Sequence, residues 1–191
     1  MSVIEQMIMQ RVAGAAVGQL AERLGVSEGT AQTAVQVAVP LLVRALARNA
    51  SQPGGADALH EAVARDHDGG ILDNVIGHFA DPASANGAGI LSHVLGDERP
   101  AVESDLAQAT GLDQSAAGGV LEAVAPLVMG AVGREQRQQG FDPSSLAQFL
   151  GQQQEQSRQP GVAGTLSSML DSNNDGSAVD DAEKIVGNFF K

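Results

Sequence analysis

The chain has 191 residues, enough for one substantial core or two small domains. Five phenylalanines with no tryptophan or tyrosine leave a core of small aliphatic side chains, which suits closely packed helices better than a sheet, and the lack of cysteine excludes disulfides, thiolate metal sites and a cysteine nucleophile. A net charge of -12 repels nucleic acid and anionic membrane through the overall field; because Arg11, Arg23, Arg44 and Arg48 outnumber Glu5, Glu22 and Glu28 in residues 1–50, the acidity belongs to the remainder.

Val3, Ile4, Met7 and Ile8 share one helical face, which predicts a first helix to about Val12. Glu5 and Gln6 interrupt that apolar run and no basic leader precedes it, so no secretory signal is expected. The small residues 13–17 predict a break, and Gly25 closes a short second helix. Ser27 then caps a long helix to about Asn49, whose apolar stripe includes Ala34, Val35, Ala38, Val39, Leu42, Val43 and Leu46. Pro40 lies inside it, where a missing N–H and a clash with the carbonyl four residues back predict a kink. SQPGG at 51–55 is a turn, 56–64 a short helix, DHDGG a loop, 71–79 another short helix and DPASANG a linker. Residues 89–96 give a turn or two of helix, and DERPAVES leads into the second half.

That second half repeats the first. Residues 106–134, LAQATGLDQSAAGGVLEAVAPLVMGAVGR, align without a gap to residues 20–48, LAERLGVSEGTAQTAVQVAVPLLVRALAR, 86 positions earlier. Gly25 pairs with Gly111, Pro40 with Pro126 and Arg48 with Arg134. The second long helix starts near Asp113 and runs to about Gln138; residues 141–154 mirror 56–64 with Asp142 or Ser144 as cap. GQQQEQSRQPG is a loop or frayed helix end, and 162–170 a short apolar helix. The Asp-Gly loop also recurs, with residues 66–74 matching 173–181. The expected fold is therefore all-α, an internally duplicated multi-helix bundle around two long Pro-kinked helices, divided into residues 1–96 and 97–191.

GILSHVLG at 89–96, the long helix with its Pro-Leu-Leu, and the closing DxxxDGSxxDD together resemble the YidB-like family of small bacterial proteins of unknown function. The resemblance implies a helical bundle with one helix enclosed by the others, and it implies no chemistry.

Among motifs that carry chemistry, the sharpest is the closing loop. Asp171, Asn173 and Asp175 offer oxygens at positions 1, 3 and 5 of a calcium loop, Gly176 stands at 6 and Ser177 offers its carbonyl. Position 12 is Ala182, so an eleven-residue variant would have to use Asp181; the competing reading is a turn in which Asp180 caps the last helix. Residues 20–35 read like a helix-turn-helix, yet the second helix opens with Ser27, Glu28, Thr30 and Gln32 and holds its arginines turns away, so packing explains the pattern better than base reading. His60, His67, His78 and His93 show no zinc spacing, and neither a nucleophile elbow nor a phosphate loop is present.

The apolar ends, residues 3–9 and Phe189-Phe190, either tie the termini down or mark a contact between proteins. No window approaches eighteen uninterrupted apolar residues, so no membrane span is expected. The reading is a cytoplasmic, non-enzymatic structural or protein-interaction module that self-associates as a homo-oligomer, with no cofactor and no nucleic acid. A calcium-binding protein using Asp171, Asn173, Asp175, Ser177 and Asp181 is the alternative, and a nucleic-acid regulator stands behind it.

Overall fold

A computed structural model describes residues 1–81 and 85–158. Every regular element among them is helical. The α-helices are α1 (Val3–Arg11), α2 (Ala15–Leu24), α3 (Glu28–Ala50), α4 (Gly55–Asp66), α5 (Val75–Ala80), α6 (Gly87–Leu95), α7 (Arg99–Thr110), α8 (Gln114–Gln139) and α9 (Pro143–Arg158).

Within the two aligned stretches the short helix ends and the long helix begins at matching positions. Gly25 and Gly111 both adopt the left-handed conformation, at φ 67° and 73°, closing α2 and α7 as glycine does with least strain. Ser27 and Asp113 then cap α3 and α8, each accepting the backbone N–H three residues on. Both long helices continue through their prolines.

α8 is the enclosed element. From Leu121 to Val132 all of its residues are buried except Glu122, which is half-buried. α1, α4, α6 and α7 pack around it, and α3 lies alongside with α9 on its far side. One cluster of buried side chains runs from Ile4 and Ile8 through Leu42, Leu46 and Phe79 to Leu121, Leu127, Leu146 and Leu150, so residues of both halves share it. Its surface contacts are made mostly by Ala, Val and Leu, whose small size lets the helices approach closely. α3 and α8 are long and apolar enough to cross a membrane, a property the uninterrupted-run test does not register; 83% of the apolar window of α8 and 56% of that of α3 are buried inside the fold.

Three local expectations need correction. Residues 71–79 are not one helix: a 3-10 turn at Gly70–Asp73 ends at Asn74, whose side chain accepts the Gly77 N–H at 3.1 Å and starts α5 afresh. DERPAVES is not a lead-in, because α7 starts at Arg99 with Pro100 in its first turn, where a missing N–H has no cost. The Gln-rich stretch is helical as far as Arg158, since Gln153 faces inward. Of the two caps proposed for α9, Asp142 is the one used: its Oδ1 accepts the Ser145 N–H at 2.8 Å and the hydroxyls of Ser144 and Ser145. Residues 162–170, the loop at 171–177 and the closing Phe189-Phe190 lie outside the described residues.

Candidate functional site

α3 and α8 floor a cleft of about 330 Å³ that opens between α4 and α6. Leu46 and Met129 form its base, and Leu59, Ile90 and Val94 its walls, so its lining is largely apolar. Polar residues stand around the mouth, and most are engaged with the protein itself. Asn49 donates its amide to the carbonyls of His93 and Val94 at 3.2 and 3.0 Å, holding the end of α6. The His93 ring donates from Nδ1 to the Gly89 carbonyl at 3.1 Å. Arg65 grips Asp66 through Nε and a terminal nitrogen at 2.8–3.1 Å, which keeps the Asp66 carboxyl below its usual range. Burial pushes the His67 imidazole below its ordinary value and so favours its neutral form. An apolar hollow rimmed by internally bonded polar groups accepts an apolar side chain more readily than it performs proton transfer.

The rear wall depends on glycine. Gly130 and Gly133 in α8 let the 67–72 loop lie directly on the helix: a Cβ at Gly133 would stand 1.7 Å from the His67 carbonyl oxygen, and one at Gly130 would stand 2.6 Å from Ile71. Arg134 clamps that loop, donating to the Gly69 carbonyl at 2.8 Å and to both carboxylate oxygens of Asp73 at 2.9 and 3.0 Å. Arg11 reaches the same carboxylate from α1 at 3.4 Å, and Arg137 approaches Asp68 at 3.7 Å. Asp68 itself accepts the Gly70 N–H at 2.8 Å, a turn bond that uses the side chain locally.

A second polar cluster joins the chain's beginning to α9. Ser2 and Glu5 form a reciprocal capping box on α1, and Gln153 of α9 accepts the N–H of Val3 at 2.7 Å. The Ser157 hydroxyl donates to Glu5 and to the Gln153 carbonyl. Of the N-terminal apolar side chains, Ile4 and Ile8 are fully buried, while Met1 and Val3 stay exposed. The segment is thus tied down on one face and open on the other.

The structure separates the four histidines. His60 donates to the Phe141 carbonyl at 2.9 Å and His78 to the Ala123 carbonyl at 2.7 Å, both acting as ties between elements. Only His67 and His93 share the cleft. Among the described residues no three His, Asp or Glu side chains come together as a metal site. Asp171, Asn173, Asp175, Ser177 and Asp181, the expected calcium ligands, lie outside those residues. In the helix-turn-helix-like stretch, Ser27 and Thr30 bond each other at 2.8 Å; Arg48, in the last turn of α3, pairs with Glu98.

Sequence reasoning missed both the Arg134 clamp and the Gln153 cap. The match of Arg134 to Arg48 in the repeat marked the position but not its partners, since Arg48 pairs with Glu98; nothing in a Gln-rich run distinguishes the one glutamine that turns inward. No curated protein and no solved structure matches the chain. The family described as a bacterial protein of unknown function, DUF937, matches residues 6–135, which takes in the aligned stretches, the cleft and its glycine-backed wall. The chain belongs to this bacterial family.

Proposed function

We propose that the protein is a non-enzymatic interaction module that self-associates, with the cleft between α4 and α6 as its receiving surface. The observation that carries this reading is the cleft's chemistry: an apolar hollow whose rim residues Asn49, Arg65, Asp66 and His93 are already bonded within the chain. The same chain supplies groups to fill it, since Met1, Val3 and Ile76 are large apolar side chains left exposed. Ile76 is the best placed of these, because a helix holds it and it loses little freedom on docking.

An interface between two copies carrying a charge of -12 each is opposed by repulsion, so salt strengthens it by screening. Light scattering across protein concentration is the test. A mass that rises above 19.5 kDa with concentration, and rises further with added salt, is expected. A strictly monomeric protein under all these conditions contradicts the reading.

A further inference from the structure

The two long helices carry the same weak point and cover it differently. Pro40 and Pro126 have no N–H to donate, so the carbonyls of Gln36 and Glu122 lose their partners within the helix. On α8 that point lies beneath α6: a Cβ at Gly87 would stand 1.9 Å from the Glu122 carbonyl oxygen, and Ala123, Pro126 and Leu127 are buried. On α3 the residues 86 positions earlier, Val37, Pro40 and Leu41, are only half-buried and Gln36 is exposed. They line an open groove of about 300 Å³, bounded by Gln154 and Ser157 in the last turns of α9.

The helix that covers α8 reads AGILSHVL at 88–95, and the chain holds the pattern a second time, as AGTLSSML at 163–170. Ala163, Gly164, Leu166, Ser167 and Leu170 repeat Ala88, Gly89, Leu91, Ser92 and Leu95, with Met169 for Val94. This second copy follows Arg158, the last described residue, and the five residues from there to Ala163 span up to about 17 Å when extended. Since α9 forms one wall of the groove, the segment starts beside it. We propose that the groove at Pro40 is the seat of the chain's own residues 162–170, received on α3 as α6 is received on α8.

Leu91 and Leu95 are buried in the α6 contact, which assigns Leu166 and Leu170 to the groove. Arg44, which also lines the groove, is exposed. One departure is visible: Val162 stands where Gly87 does, so the close approach to the freed carbonyl is not reproduced.

The absence of cysteine makes the test clean. Leu41→Cys in the full chain gives a single thiol in the groove, and its rate of labelling by a maleimide reports the cover. Combining it with Leu166→Asp and Leu170→Asp is expected to speed labelling at least about tenfold, with an intermediate rate for Leu166→Ala and Leu170→Ala and unchanged helical content by circular dichroism. A rate that neither pair of substitutions alters overturns the proposal. Protection that disappears on dilution also overturns it, by handing the seat to a second copy.

Discussion

Gly133 has no room for a methyl group, because the position a Cβ would take is 1.7 Å from the His67 carbonyl oxygen. Gly133→Ala must push the 67–72 loop off α8 and is expected to cost about 1–3 kcal/mol. Gly151, also helical, has nothing within 4 Å, so the same change there gains about 0.5–1 kcal/mol from helix propensity. Urea denaturation of the two variants measures both, and equal effects would contradict the packing described. His78 sets a pH dependence at the same scale. Burial lowers its folded pKa below 6.5 despite the bond to the Ala123 carbonyl, and Nδ1 has no partner. The unfolded chain therefore binds the proton first, and the stability this histidine contributes is present above pH 6.5 and lost as pH falls through the folded value. Stability measured between pH 7.5 and 5.5 should fall less in His78→Gln than in the wild type. His67 shifts in the same direction and retains its share.

Among the elements, α9 and α1 depend on one another through Gln153. Its side chain is 2% exposed and accepts two backbone N–H groups at the start of α1. Gln153→Ala removes a cap, at about 1 kcal/mol, and should hasten hydrogen exchange in α1 more than in α8; uniform exchange across both helices would contradict the tie. This dependence was not legible beforehand, whereas the long helices were. Ser27, Gly25 and a sustained 3.6-residue period define α3 within its own sequence, and the aligned copy defines α8 likewise. A cap supplied from 150 residues away has no local signature. The split at Asn74 was hidden for a related reason: Ile71, Leu72, Val75 and Phe79 are apolar at helical spacing, but Arg134 and Arg11 bind the carbonyls and carboxylate of the turn and hold it apart from α5. The cleft's apolar residues were visible only as scattered core positions, because α3, α4, α6 and α8 bring them together.

At the scale of the whole molecule, similar halves do not give similar surfaces. α8 is enclosed by α6 and the clamped loop, while the matching stripe on α3 faces a groove. On the proposed reading the cleft and Ile76 are a hollow and a projection on one chain, which would join copies head to tail when they do not coincide on a symmetry axis. The most direct measurement is a mixing experiment with Ala58→Arg, which places a long charged side chain at the exposed rim of the cleft, and Ile76→Arg, which replaces the projection. Both substitutions reduce the net negative charge, so loss of association cannot be assigned to added repulsion. Each variant alone is expected to remain monomeric by light scattering, while an equimolar mixture forms a dimer, because one partner keeps the hollow and the other the projection. Association unchanged in either variant, or a mixture that stays monomeric, would contradict the account.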